Sequence, residues 1–201
     1  MRPFRRHDGI AAPLRRANVD TDAIAPMRFL INPDRKGLAR ALFANWRAED
    51  PDFPLDRAPW KEASILVAGP NFGCGSSREM AVWALAEAGF RVVIAPSFGE
   101  IFANNCFKNG LLAIELPKAT VEAIQDQLER GIGDSRLSVD LATNRIVGPG
   151  NASCDFVVDP MRREALLEGL DDIASTLKRE ADIAAFQARD RVRRPWVYET
   201  G

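Results

Sequence analysis

Histidine and cysteine are scarce in this 201-residue chain, with one of the first and three of the second. The lone His7 lies in a charged N-terminal segment, so a mechanism built on a His pair, or on a His base from the folded body, has no candidate. Cys74, Cys106 and Cys154 are odd in number and widely spread, without a C-x-x-C pair. They fit neither a disulfide framework nor a zinc or iron–sulfur ligand set, and a reducing cytoplasm is the expected location. Charge imbalance is lacking too: a net charge of −1 gives no basis for binding nucleic acid or an anionic membrane surface. No apolar run approaches 18 residues, and the arginine-rich N-terminus has no unbroken apolar segment, so neither a spanning helix nor a signal peptide is expected. What remains, 46% apolar and 27% charged, is a globular balance with enough chain for one well-buried core.

Read in order, residues 9–14 form a candidate strand, and 17–22 (ANVDTD) a turn whose Asx and Thr side chains bond local backbone. Residues 32–37 are a loop, and Leu38, Ala41, Leu42 and Trp46 predict an amphipathic helix over about 37–47. Pro51, Pro54 and Pro59 predict a surface excursion without regular structure. Residues 64–68, a buried helix over 77–88 ended by Gly89, and the strand 91–95 have the spacing of a βαβ crossover, hence parallel pairing. A short helix (98–106), a strand (111–116) and a helix over 121–130 capped by Thr120 follow. Three short antiparallel strands are expected at 137–141, 145–147 and 154–158. Beyond Pro160, Leu166, Leu170, Ile173 and Leu177 share a helical face, Ala181–Arg189 extends it, and 190–201 is a solvated tail. The expectation is a single domain over 1–201, its C-terminal helical segment at about 160–189.

The stretch 65–79, ILVAGPNFGCGSSRE, organises the rest. A strand empties into a loop with Gly69, Gly73 and Gly75, and Ser76, Ser77, Arg78 and Glu79 lead into a helix. Such a junction aims free backbone N–H groups and a positive helix end at one spot, where a carboxylate or phosphate would sit. Two readings of Ser76 stay open on residues alone: part of an anion site, or, with Glu79, an S-x-x-E capping box. The third glycine of a dinucleotide fingerprint and the lysine of a P-loop are both missing, which argues against nucleotide. Cys74 beside Arg78 has some features of a nucleophile, but without a base it reads better as a small buried hydrophobe. Asp20 and Asp22 flank Thr21, and paired carboxylates there suit either metal or proton-transfer chemistry, or plain Asx turns.

Four motifs occur together and in order: NVDTDAIAP at 18–26, NFGCGSSRE at 71–79, RVVIAPSFGEIF at 91–102 and GLLAIEL at 110–116. In combination they resemble the small subunit of 3-isopropylmalate dehydratase (isopropylmalate isomerase), a relative of the mobile C-terminal domain of aconitase. The resemblance runs over nearly the whole chain, and GLDDIA at 169–174 fits the longer bacterial form. It implies an α/β fold, a three-layer swivelling β/β/α domain as in the aconitase C-terminal domain, with a C-terminal helical extension. It also implies a large-subunit partner that holds a [4Fe-4S] cluster on its own cysteines, none being bound by this chain, and a hydro-lyase inactive without that partner. The implied substrate is a small malate-type dicarboxylate, 2-isopropylmalate, isomerised to 3-isopropylmalate through 2-isopropylmaleate in leucine biosynthesis.

By position, Ser76 matches the family's catalytic serine, which takes the proton next to a carboxylate, and Arg78 the arginine that clamps a substrate carboxylate. Ser77 matches a neighbouring hydrogen-bonding serine, with Gly75 beside it in the substrate loop, and Asp22 the aspartate of the T-D pair. The loop 27–36 matches the region that meets the variable substrate side chain, with Arg28, Phe29 and Leu30 the candidates and Arg35 beside them. A serine hydroxyl holds its proton about as tightly as bulk water, with a pKa of about 15.7. A helix end stabilises an anion by at most ~2 kcal/mol, about 1.5 pKa units. The loop alone therefore does not ionise Ser76, and Arg78, a dry interface and the partner's charges are required. Where the family usually has His after S-S-R-E, this chain has Met80. That departure leaves two further readings: a hydro-lyase for citramalate, dimethylmalate or homoaconitate, or a non-catalytic partner that stabilises the large subunit.

Overall fold

The architecture divides within its first strand. In the computed structural model, which describes residues 1–29, 37–130 and 135–198, β1 (Arg6–Leu14) pairs with two different neighbours along its length. Its second half runs parallel to β2 (Ile65–Ala68), Ala11 opposite Ile65 and Leu14 opposite Ala68. Its first half runs antiparallel to β5 (Arg136–Asp140), Arg6 opposite Asp140 and Ile10 opposite Arg136. Gly9 sits at this handover, where a Cβ would lie 2.1 Å from the Ser64 hydroxyl, so any side chain there would have to displace Ser64. The parallel side continues through β3 (Val92–Ala95) to β4 (Leu112–Glu115). The antiparallel side continues through β6 (Arg145–Val147) to β7 (Ser153–Asp155), giving the order β4-β3-β2-β1-β5-β6-β7.

Both faces of the parallel strands are covered, which is why β2 and β3 read as unbroken apolar runs rather than alternating ones. One face (Leu14, Leu66, Val93, Ala95) packs with Phe43, Phe53, Phe72, Val82, Leu85 and Phe102. The other (Ile65, Val67, Val92, Ile94, Leu112) packs with Val121 and Leu128 and with Val139 and Ile146 of the antiparallel strands. On the first side lie α1 (Thr21–Ile24), α2 (Ala44–Glu49), α3 (Glu79–Glu87) and α4 (Glu100–Lys108); on the second, α5 (Lys118–Arg130) and α6 (Pro160–Glu168). Gln125 ties α5 down through Nε2 to the Val67 carbonyl at 3.0 Å.

Several elements differ from the sequence reading for identifiable reasons. The amphipathic helix expected over 37–47 is a 3-10 turn (Leu38–Ala41) and α2, separated by Phe43 at φ 53°. The Phe43 amide donates to Ile24 O at 2.9 Å, a tertiary bond that the helical ladder would otherwise use, while its ring stacks on Trp46 at 5.3 Å. The proline-rich 50–60 stretch is not a mere surface excursion: it holds two 3-10 turns, and Phe53 and Leu55 are core residues. Thr120 lies inside α5, which starts at Lys118 directly after Pro117 rather than at a Thr cap.

The chain divides into two compact units, Met1–Gly169 and Leu170–Gly201. In the first, α6 ends at Gly169, at φ 72°, so the shared face drawn through Leu166 and Ile173 is not one helix. In the second, Asp171 caps α7 (Asp172–Leu177) by accepting from Ala174 N at 2.7 Å. Then α8 (Glu180–Arg193) runs into the segment expected to be tail, closed by Arg194 and Tyr198 on the Asp190 carboxylate. No helix among the described residues is long and apolar enough to cross a membrane.

Candidate active site

Three loops leave the C-terminal ends of the parallel strands β1, β2 and β3 and bond to one another, the place where open α/β sheets bind ligands. The loop after β2 is the middle one. From the β1 side, Asn18 N donates to Pro70 O, Gly73 N to Val19 O and Thr21 N to Cys74 O, at 2.9, 2.7 and 3.0 Å. From the β3 side, Phe72 N donates to Ser97 O and Gly99 N to Phe72 O, at 3.0 and 2.9 Å, and Asn71 N reaches the Ser97 hydroxyl at 2.9 Å. Gly73 (φ 73°) and Gly75 (φ 85°) supply the two left-handed turns around Cys74. A Cβ on Gly73 would also meet the Phe102 ring at 2.1 Å.

The loop delivers Ser76, Ser77 and Arg78 to the start of α3. Gly75, Ser76 and Ser77 are exposed, whereas the Arg78 side chain is only 17% exposed. The capping-box reading fails. The helix begins at Glu79 with Arg78 as its N-cap, and that cap makes no side-chain bond. Glu79 Oε1 instead accepts from Asn109 Nδ2 at 2.8 Å, and Asn109 Oδ1 accepts the Trp83 indole N–H at 3.0 Å. Ser76 is thus left outside the helix, with no capping duty. Its carbonyl accepts twice, from Arg78 N at 2.8 Å and from the Thr21 hydroxyl at 2.9 Å, closing a tight turn with Ser77 at its centre.

Asp22 lies across from this turn. Its Oδ1 accepts from Arg78 Nη1 and from Met27 N, the latter at 3.2 Å. The Arg78 guanidinium, then the Met27 amide, hold the Asp22 carboxyl below the usual carboxylate range, with a smaller contribution from the charge of Arg28. Asp20, by contrast, caps α1 by accepting from Ala23 N at 2.7 Å, so the two aspartates have separate duties and do not form a metal pair. Arg28 bonds Asn45 Oδ1 and lies 4.7 Å over the Phe29 ring. The structure therefore brings together Ser76, Ser77, Gly75, Arg78 and Asp22, with Arg28 near enough to be felt by Asp22. Leu30 and Arg35 lie outside the described residues. Met80 is half-buried against the apolar core, a packing position.

The arrangement offers an exposed hydroxyl, a largely sheltered guanidinium and an acidic partner for it, around a helix start. That set has the chemistry to accept a carboxylate, with a hydroxyl beside it. Cys74 lies in the glycine loop, Cys106 inside α4 and Cys154 on β7, and among the described residues no group of three or more His, Cys, Asp or Glu is placed to hold a metal. Among the described residues the three cysteines lie on separate elements and form no common ligand set. His7 lies on β1, its Nε2 2.7 Å from the Ser64 hydroxyl. It is seven residues before the strand's C-terminal end, about 23 Å at strand rise. Sequence reasoning missed Thr21 and the Asn18–Asn71 side-chain pair at 2.9 Å. Asn18 and Asn71 adopt positive φ, which their residue type favours, and Thr21 was visible between its two aspartates.

Comparison with known proteins follows the same outline. The family model for the aconitase C-terminal domain matches residues 1–119, and that for the C-terminal domain of the 3-isopropylmalate dehydratase small subunit matches 172–200. A 3-isopropylmalate dehydratase small subunit of Cupriavidus necator is 50% identical over 208 residues, covering 100% of both chains. That of Paramagnetospirillum magneticum is 50% identical over 202 residues, covering 98% of this chain and 100% of its own. Among solved structures, a 3-isopropylmalate dehydratase from Methanocaldococcus jannaschii superposes with a TM-score of 0.65 at 32% identity, covering 90% of this chain and 98% of that one.

Proposed function

Because the chain belongs to the family of 3-isopropylmalate dehydratase small subunits, we propose that it forms half of a hydro-lyase active site that isomerises 2-isopropylmalate and 3-isopropylmalate in the cytoplasm. The observation that carries this reading is the convergence of Ser76, Arg78 and Asp22 at the strand ends, with Ser76 free of the helix cap. Arg78 clamps one substrate carboxylate in its planar fork, taking up a partner that Asp22 otherwise supplies. Ser77 and the N–H groups at the start of α3 add hydrogen bonds to that carboxylate.

Ser76 Oγ, as alkoxide, takes the proton from the carbon next to a substrate carboxylate. The C–H electron pair becomes the double bond of 2-isopropylmaleate as hydroxide leaves the neighbouring carbon. Re-addition of hydroxide at the first carbon and of the proton at the second gives 3-isopropylmalate. The large subunit's iron–sulfur cluster supplies, when bound, the Lewis acid that holds the departing hydroxyl. Arg78 favours the alkoxide by Coulomb attraction, which strengthens as the partner excludes water. The isolated chain leaves Ser76 exposed, in keeping with an activity that needs both subunits. Phe29 and Arg28 are the proposed contacts for the isopropyl end or its replacement, a reading supported by the nearness of Arg28 to Asp22.

Mixing the chain with its cognate, cluster-loaded large subunit is expected to yield 2-isopropylmaleate from 2-isopropylmalate; no turnover by an intact mixture would overturn the reading. Met80 motivates a second reading, a related hydro-lyase. A side-by-side panel of citramalate, dimethylmalate and homoaconitate against 2-isopropylmalate decides between them by kcat/KM.

A further inference from the structure

We propose that Thr21 is a positioning residue for Ser76, its hydroxyl acting as the latch that sets the orientation of the Ser76 peptide. The inference rests on the reading of Ser76 as the base. Thr21 is 2% exposed, and its Oγ1 donates to the Ser76 carbonyl at 2.9 Å across 55 residues of chain. A threonine at the start of a helix usually spends its hydroxyl on local backbone. Here Asp20 already caps α1, so the Thr21 hydroxyl is not needed for its own helix. Its amide meanwhile donates to Cys74 O at 3.0 Å, so one residue holds the loop at two points, either side of Gly75. The next residue, Asp22, holds the Arg78 side chain. Consecutive residues thus fix the peptide of the base and the side chain of the clamp, and so their relative placement.

The local accounting separates this role from simple stability. Removing the hydroxyl does not orphan the Ser76 carbonyl, because Arg78 N still donates to it at 2.8 Å. An acceptor with one partner left avoids most of the desolvation cost. What is lost is the second direction of constraint on a turn whose centre, Ser77, is exposed. The serine side chain then samples a wider arc, and displacement of a reacting group by about 1 Å costs on the order of 100-fold in rate.

The test uses the assembled enzyme with Thr21→Val, which keeps the shape and removes the hydroxyl, and Thr21→Ser, which keeps the hydroxyl. The expected result for Thr21→Val is a kcat lower by roughly 10- to 100-fold with KM within about twofold, and recovery to within about threefold in Thr21→Ser. Amide exchange in the peptide spanning residues 76–78 of the full chain is expected to accelerate in Thr21→Val and not in Thr21→Ser. A Thr21→Val enzyme with kcat within about twofold of wild type, under conditions where Ser76→Ala abolishes turnover, overturns the proposal. So does a Thr21→Ser enzyme as slow as Thr21→Val, or unchanged exchange at 76–78. If Ser76→Ala leaves turnover intact, the base reading falls instead, and the exchange measurement still decides whether Thr21 holds the peptide.

Discussion

Replacing Gly99 by alanine should disable the site from outside it. Gly99 contributes no catalytic group and its φ of −62° suits any residue, so conformational strain is not the issue. The obstacle is space: a Cβ there would lie 2.4 Å from the Gly73 carbonyl oxygen and 3.0 Å from Cys74 Cα. Both are backbone atoms, so no side-chain rotation relieves the clash. A comfortable carbon–oxygen approach is about 3.3 Å, which requires the glycine loop and the start of α4 to separate by about 0.9 Å. Overpacking of this kind costs about 1–3 kcal/mol, and a shift near 1 Å at the reacting group lowers the rate on the order of 100-fold. Gly150→Ala is the control. Its φ of 65° makes alanine strained, by about 1–2 kcal/mol, but nothing lies within 4 Å of the added carbon, and it sits beside β7 rather than at the site. Urea unfolding of the isolated chain and initial rates of the assembled enzyme, read by ultraviolet absorbance of the conjugated diacid, compare the two. Comparable losses of stability with activity lost only in Gly99→Ala is the expected pattern. A Gly99→Ala enzyme within twofold of wild type would refute the packing argument.

Two other predictions concern charge. Arg78→Lys keeps the cation but not the planar fork, and charged hydrogen bonds are worth about 1.5–3 kcal/mol, so KM should rise by about 10- to 100-fold; an unchanged KM would remove Arg78 from the substrate. His7 has its pKa lowered, first by burial and then by the charges of Arg91 and Arg2, against a weaker opposite pull from Asp8. The unfolded chain therefore takes up the proton first as pH falls. The stability of neutral His7 is fully present above an unfolded pKa of about 6.5, and is lost as pH drops toward the lower folded value. The urea midpoint of His7→Gln should consequently change less between pH 7 and pH 5 than that of the wild type, and parallel slopes would contradict this.

What the sequence revealed and what it hid follow from the range of the interactions concerned. The parallel half was legible because Ile65–Ala68 and Val92–Ala95 are unbroken apolar runs flanking a helix of the right length. The antiparallel strands were legible from their turns at Asn144 and Gly148, although the last, expected over 154–158, runs Ser153–Asp155. Misreadings came wherever a tertiary bond outbid a local pattern. Ser76 and Glu79 match a capping box, but Thr21 binds the backbone of the first and Asn109 the side chain of the second. Leu38, Ala41, Leu42 and Trp46 have helical spacing, but Ile24 takes the Phe43 amide and breaks the helix. Prolines at 51, 54 and 59 do forbid long elements, yet the aromatic and aliphatic residues between them, Phe53 and Leu55, reach the core. The cluster itself joins residues 20–22 to residues 74–78, a separation at which periodicity is silent. The order of four motifs pointed to it through resemblance, and only the fold places Asp22 on Arg78.

The central claim is that Ser76 is the base. Its most direct test is Ser76→Ala in the assembled enzyme, with complex formation verified by size-exclusion chromatography and the cluster by its visible absorbance. The account predicts loss of dehydration in both directions with assembly unimpaired, since Ser76 is exposed and caps no helix. Turnover at the wild-type rate from an intact Ser76→Ala complex would contradict it.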